Sequence, residues 1–381
     1  MASISRRNGA WQYRVSYKDG TTYRNKTRGG FNTKRAAQLA AADIETKLGR
    51  GANLMASERL FCELFREWYE TFIEGKYSPD NQRLVERIVR FSERVFPGMR
   101  IREVDRTIYQ QALNKFGETH ATETVRKYNI YMRAFIRYEI EEGAIFRDPT
   151  YKAKAIGNVP EKKESLKYIN FSDTQKLITE VRKDMRPKYV SRYMILFQLA
   201  TGCRLEEVLG MTWDCINFKK RTIKINKSWD YKDTLDFGGL KNKASYRTIT
   251  IDKKTLQIIK KLKAHQSEVH LATGLENAKN LVFANDQMQL ISPEALNKVL
   301  KKLCKRLELI ELTSHGLRHT HASILLLHKR VTLKYLSRRL GHENIITTLQ
   351  TYAHVLDELE QLEDRSVDDT MEDLYQESPN S

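Results

Sequence analysis

Cysteine is scarce in this chain: four in 381 residues, at Cys62, Cys203, Cys215 and Cys304, with no C-x-x-C pair. That spacing argues against a zinc ribbon and a disulfide framework, and isolated thiols suit a reducing compartment. No apolar run approaches the roughly 18 residues that span a bilayer. The arginines among the first 14 residues are not followed by the apolar stretch of a secretory signal. The chain is therefore expected to be neither secreted nor membrane-spanning, and to work in a cytoplasm. It lacks a G-x-x-x-x-G-K-[ST] phosphate loop, so no ATP site is expected. It also lacks H-E-x-x-H; His315 and His319 have the i, i+4 spacing of a zinc pair, but no nearby carboxylates or cysteines complete a shell. No metal and no cofactor are expected.

Positive charge is what the chain has in excess. Sixty-six Lys and Arg against 48 Asp and Glu leave +18, which points to a polyanionic partner. Residues 1–54 carry +8, 58–148 are neutral, 168–356 carry +16, and 357–381 carry −9. Spread over the length, this charge differs from the single amphipathic helix of a membrane-surface protein. The acidic end masks part of a basic body.

With 40% apolar residues, the length allows about two to three domains, each with a core. Residues 11–17 and 21–27 alternate like strands around Lys18-Asp19-Gly20, and Thr33 can cap an alanine-rich helix that ends near Gly49. The basic side chains of this small module include Arg14, Arg24, Lys26 and Arg28. From Glu58 to Asp148 the pattern is helical. Leu84, Ile88, Phe91 and Val95 form an apolar stripe, with Arg83, Arg87, Arg90 and Arg94 one residue earlier. A second helix carries Arg126, Arg133 and Arg137, opposite a core side that includes Val125, Tyr128, Met132, Phe135 and Ile136. Such arginine stripes are either salt-bridged solvated faces or phosphate contacts. The polar, lysine-rich stretch 149–167 reads as a linker. Beyond it come helix, strands over 221–229 and 245–251, and helices again from Lys253. A last apolar set, Val355, Leu356, Leu359 and Leu362, suits one helical face able to dock on protein.

Chemistry-bearing residues cluster in the second half. Arg204 follows a helix end at Gly202, where an ion-pair role competes with a catalytic one. His315 and Arg318, three apart on one helix face, offer proton transfer and a planar fork for phosphate oxygens. Further on stand Leu340-Gly341-His342 and Tyr352, while the spacing of Tyr335 suits a core residue.

In this order the residues resemble the tyrosine recombinase, or phage integrase, family: Thr201-Gly202-Cys203-Arg204, Lys241 in GGLKNKASYRTITI, His315-Gly316-Leu317-Arg318, Leu340-Gly341-His342, and Tyr352. The resemblance covers essentially the whole chain. It implies a multidomain α+β fold: an arm-type β-β-β-α DNA-binding domain (1–54), an all-α core-binding domain (58–148), the linker, a mainly α catalytic domain with a small antiparallel sheet (168–356), and the acidic tail (357–381).

It further implies attack of the Tyr352 hydroxyl on a DNA phosphodiester, giving a 3′-phosphotyrosyl intermediate and a free 5′-hydroxyl. Arg204 and Arg318 would hold the non-bridging oxygens, His315 would act as base, Lys241 would protonate the leaving oxygen, and His342 would donate to the phosphate. Glu207 would position Arg204. Lys243 is a second basic candidate two residues from Lys241. The implied partners are double-stranded attachment-site DNA, three further copies of the chain in a tetramer, an excisionase and a DNA-bending host protein, with no membrane. A type IB topoisomerase and a catalytically silent DNA-binding regulator are the competing readings. The basic N-terminal module disfavours the first, and the complete residue set disfavours the second.

Overall fold

The computed structural model describes residues 2–19, 21–160, 168–328, 331–353 and 355–356. Its contacts divide the chain into two units, Met1–Glu161 and Lys162–Ser381.

The first unit opens with β1 (Ser3–Arg7), β2 (Ala10–Asp19) and β3 (Thr22–Phe31), an antiparallel sheet in that order. Helix α1 (Lys34–Gly49) lies across one face, started by Thr33, whose hydroxyl accepts from Ala36 N at 3.1 Å. Tyr13, Val15 and Ala41 are buried between sheet and helix, with Ile4, Phe31 and Leu48 packed around them. A short α2 (Leu54–Ser57) leads into a helical cluster of α3 (Phe61–Phe72), α4 (Pro79–Val95), α5 (Arg106–Gly117) and α6 (Thr122–Glu141). Its core is aromatic: Phe61, Phe65 and Phe135 pack within 4.6–6.2 Å of one another.

On α4 the buried stripe runs through Val85, Ile88, Val89 and Phe91, while the expected Leu84 and Val95 are half-buried at its margins. The stripe follows the 3.6-residue period, so Val85 and Val89 point more directly inward.

Residues 149–159, expected to form a linker, instead strap the helical cluster. The Gln110 side chain exchanges two hydrogen bonds with the backbone of Lys154, and Thr122 Oγ1 bonds both N and O of Gly157. The backbone approach explains two glycines: a Cβ at Gly117 would stand 2.2 Å from Ile156 O, and one at Gly157 2.2 Å from His120 O. Residues 161–167 of the expected linker and the acidic tail, 357–381, lie outside the described residues.

The second unit is built around α8 (Val190–Thr201), whose residues 193–199 are all buried and which is therefore a central helix. Around it stand α7 (Phe171–Lys183), α10 (Lys253–Thr273), α11 (Pro293–Arg306) and α12 (Ser314–Leu327). Short α9 (Leu205–Leu209) follows α8 directly, and α13 (Leu333–Leu340) follows α12.

The two expected strands split into more pieces. Strands β4 (Ile216–Asn217), β5 (Thr222–Ile225) and β8 (Arg247–Thr250) form one antiparallel sheet. Between β5 and β8 stands a second hairpin, β6 (Ser228–Asp230) with β7 (Asp236–Gly238). No helix among the described residues is long and apolar enough to cross a membrane.

Glu139 on α6 is 3% exposed, and burial, with Glu142 and Glu67 adding to it against Arg59, pushes its carboxyl up to about 7. Its raised value makes it a stabilising group below about pH 4.5 whose contribution is lost as pH rises through 7. Glu139→Gln should therefore slow hydrogen exchange in α6 of the full-length protein at pH 8 and change little at pH 4.5. Equal effects at both values would refute a titrating carboxyl here.

Candidate active site

Arg204 owes its place to the end of α8. Gly202 terminates that helix with a φ of +70°, and a Cβ there would meet the His321 ring at 2.6 Å, so only glycine fits the turn. The next helix then begins at Arg204, whose backbone N–H donates to Glu207 Oε2 at 2.8 Å. Its guanidinium donates to Glu207 Oε1 (3.0 Å), Ser245 Oγ (3.4 Å) and Gly341 O (3.2 Å), and remains 23% exposed.

Glu207 is shared by a second arginine. Arg247 on β8 forks onto both carboxylate oxygens at 2.9 Å and also donates to Arg339 O and Ser245 O. Burial pushes the Glu207 carboxyl upward, but the hydrogen bonds and charge of Arg247, with Arg318 and Arg204, more than reverse this and hold it below the usual range. Glu207 is thus an ionised brace. Arg247 escapes a reading by motif because it lies 40 residues beyond the carboxylate it grips; the β8 strand pattern gives its face but not its partner.

Arg318, 3% exposed on α12, reaches two helix ends at once. It donates to Gly202 O (2.7 Å) at the end of α8, and to Leu340 O (2.7 Å) and His342 Nε2 (3.0 Å) at the end of α13. Carbonyls at helix C-termini carry partial negative charge and suit a guanidinium. Burial and the neighbouring Arg204 draw its pKa down to about 10, still protonated at neutral pH.

His342 has Nδ1 2.8 Å from Thr348 Oγ1, and since Nε2 accepts from Arg318 we assign its proton to Nδ1. Burial and the cations Arg318, Arg204 and Arg247 push it down to about 3, so it is neutral. Donation from Nε2 to a phosphate would require Arg318 to turn away and the proton to change nitrogen.

A further brace lies beneath. His321 Nδ1 is 2.7 Å from Leu199 O, and Nε2 accepts from Arg339 Nε at 3.0 Å, while Arg339 also holds Thr250 O and Ala200 O. Both ring nitrogens of His321 are thereby engaged.

Tyr352 stands on the helical segment 345–353 and is 1% exposed, packed with Ala322, Leu326, Leu336, Leu340 and Val355. It lies within electrostatic reach of Arg318. Its ring meets that of His319 at 5.6 Å, and His319 meets His315 at 4.6 Å, so His319 touches both the expected base and the expected nucleophile. Tyr335, expected in the core, is half-buried at the surface under Arg338, because α13 turns its apolar face through Leu336 and Leu340 instead. Val355 is buried beside Tyr352 and Leu356 partly so; the remainder of that expected docking face lies outside the described residues.

Lys241 is exposed in the connection between β7 and β8. Lys243 does not share a strand with it: residues 243–245 form a 3₁₀ turn, so strand alternation does not relate the two side chains.

The first-unit candidates separate by face. Strand register pairs Tyr13 with Arg28, Val15 with Lys26 and Tyr17 with Arg24, which puts these three cations on the sheet face that α1 covers. Lys26 meets Glu58 at 2.5 Å, and Glu58 also meets Arg100 and Arg102 at 2.9 Å each. Arg14 pairs with Ser3 and Thr27 on the open face, where Gln12 Nε2 donates to Ser5 Oγ at 3.0 Å. On α4, Arg83 pairs with Asp80 and Arg90 with Glu86, while Arg87 and Arg94 are exposed; on α6, Arg126 and Arg137 are exposed and Arg133 is half-buried.

His321, 7% exposed, is pushed down to about 3 by burial and by the Arg339 charge, so the unfolded chain takes up a proton near pH 6.5 that the folded one refuses. Its stabilising effect is full above 6.5 and is lost as pH falls toward 3, by up to ~1.4 kcal/mol per pH unit. His321→Gln should lower stability to urea at pH 7.5 and flatten its decline below pH 6.5. An unchanged slope would refute the assignment.

Residues 167–358 match the phage integrase family, and residues 3–48 match an arm DNA-binding domain. A protein described as tyrosine recombinase XerC-like, from Caldanaerobacter subterraneus subsp. tengcongensis, is 27% identical over 92% of this chain and 94% of its own length. The Tn1549 transposon integrase, solved in complex with transposon right end DNA, has a TM-score of 0.68 at 17% identity, covering 81% of this chain and 99% of that one. A lambda integrase tetramer bound to a Holliday junction has a TM-score of 0.55 at 14% identity, covering 90% and 95%. The chain belongs to the phage integrase family and is a tyrosine recombinase, a site-specific enzyme that cleaves and rejoins DNA strands.

Proposed function

We propose that the chain integrates and excises a mobile element by strand exchange at its attachment sites, through a 3′-phosphotyrosyl link on Tyr352. The observation that carries this reading is the convergence of Arg204, Arg318 and His342 at the ends of two helices, with Tyr352 in reach of Arg318. Two guanidiniums held by buried oxygens are fixed donors, most effective where charge builds on a phosphorane. Attack joins Tyr352 Oη to phosphorus and breaks the P–O5′ bond. The phenol proton leaves to a histidine, and Lys241 supplies one to the 5′-oxygen, so no external energy source enters. His315 takes the base role by its place in the motif. The ring contact of His319 with Tyr352 favours a second reading, in which His319 is the acceptor and His315 its outer neighbour.

Residues 168–356 form the catalytic module, 58–148 the core-site module and 1–54 the arm module. The working assembly is a homotetramer on DNA, as in the lambda integrase structure. An excisionase and a DNA-bending host protein set direction, and the setting is the bacterial host cytoplasm and its nucleoid. The open face of the N-terminal sheet, with Arg14 and Gln12, reads the arm site, and the cations against α1 serve mainly to dock that module.

Incubation with a nicked half-site, whose released fragment diffuses away, should trap a denaturant-resistant adduct that Tyr352→Phe abolishes. A persisting adduct would refute Tyr352 as nucleophile. His315→Ala and His319→Ala in the same assay decide the base, the larger loss, on the order of 10²–10⁴, marking it.

Arg14→Ala should reduce the log-log salt slope for arm-site DNA by about 0.9, and Lys26→Ala by much less. The reverse order would assign recognition to the α1 face.

A further inference from the structure

We infer that Asn242 and Ser245 are positioning residues that fix the leaving-group lysine with respect to Arg204. This rests on the reading of Lys241 as general acid. Asn242 caps the 3₁₀ turn 243–245, its Oδ1 accepting from Ser245 N at 2.9 Å and from Ser245 Oγ at 2.7 Å.

Ser245 is fully buried, and each of its polar atoms is used. A hydroxyl has one proton, and the short bond to Asn242 takes it; the lone pairs are left to accept from Arg204 Nη1 at 3.4 Å. Its carbonyl accepts from Arg247 Nη1 at 2.9 Å. The turn is thereby tied to both arginines that grip Glu207, and the residue entering it is Lys241.

The same connection is held at its other end. Ser228 Oγ donates to Gly239 O at 2.9 Å, and a Cβ on Gly210, at the end of α9, would stand 2.7 Å from Ser228 C. The β6–β7 hairpin therefore sits against the helix that Arg204 begins. An exposed lysine on a flexible stem samples many positions; two anchored ends restrict where its base can lie. Proton donation to O5′ and the clamp on the non-bridging oxygens must act in one transition state. A shift of about 1 Å between them lowers the rate on the order of 10²-fold.

The test separates proton donation from phosphate binding. A half-site with a 5′-bridging sulfur releases a thiolate, which is far less basic than an alkoxide, and needs no acid. On ordinary DNA, Asn242→Ala should slow cleavage on the order of 10²-fold with core-site binding kept. On the sulfur substrate, Lys241→Ala and Asn242→Ala should both return to near the unsubstituted rate, and Arg204→Ala should not. Ser245→Ala, which also releases Arg204, should be restored in part; it serves if Asn242→Ala fails to fold, and no restoration would then overturn the inference. If a lysine variant, Lys241→Ala or Lys243→Ala, is restored and Asn242→Ala is not, the positioning role is wrong and the lysine reading stands. If neither lysine variant is restored, the general-acid reading fails, and the inference with it.

Discussion

The carboxylate of Glu207 is the interaction on which the candidate site of the second unit depends. It is 2% exposed, and its two oxygens are divided between an arginine that starts a helix and one that ends a long excursion through two hairpins. Ionised groups of this kind are costly to bury, and removing one partner leaves the others uncompensated by several kcal/mol. Loss of Glu207 would leave Arg204 and Arg247 facing each other. Its presence lets two like charges share one small volume, as the proposed phosphate-binding role would require.

Three arginines, 204, 247 and 318, act on that acid, Arg339 stands on the His321 side, and backbone oxygens hold all four. The carbonyls of Ala200, Gly202, Leu340 and Gly341, all at the ends of α8 and α13, accept from them. Helix ends present carbonyls without intrahelical partners. Gly341, like Gly202, adopts a positive φ, and a Cβ on it would stand 2.8 Å from Arg247 Nη1. The centre is thus made where helices stop.

That origin explains what could be read from the sequence. Arg204 after Gly202, His342 after Gly341, and the His315–Arg318 pair are local in the chain, and punctuating glycines mark them. Arg247, Ser245 and Arg339 are not, because the partners that place them lie 40 to 139 residues away and no period in the sequence encodes such pairings. Lys26 and Arg14 look alike by composition, yet strand register sends them to opposite faces. The strap over residues 149–159 read as a linker because it is polar; its attachment runs through backbone atoms and glycines, to which hydropathy is blind. Lys243 shows a related limit: it stands in a capped 3₁₀ turn, so strand alternation does not encode how it lies relative to Lys241.

The covering of Tyr352 has a bearing on how such an enzyme coexists with a genome. A strongly basic chain spends most of its time on DNA that is not its target, and each phosphate it touches is a chemically competent electrophile. With Tyr352 packed among Leu336, Leu340 and Val355, the role proposed for it would require the 345–353 segment to shift, and reactivity would follow the fraction of molecules in which it has done so. If that shift is uphill by about 2.8 kcal/mol, about one bound molecule in a hundred is armed at any instant. Only contacts that favour an uncovered state would raise that fraction, so under the role proposed for Tyr352 scarcity of the exposed phenol would add to affinity for the right sequence.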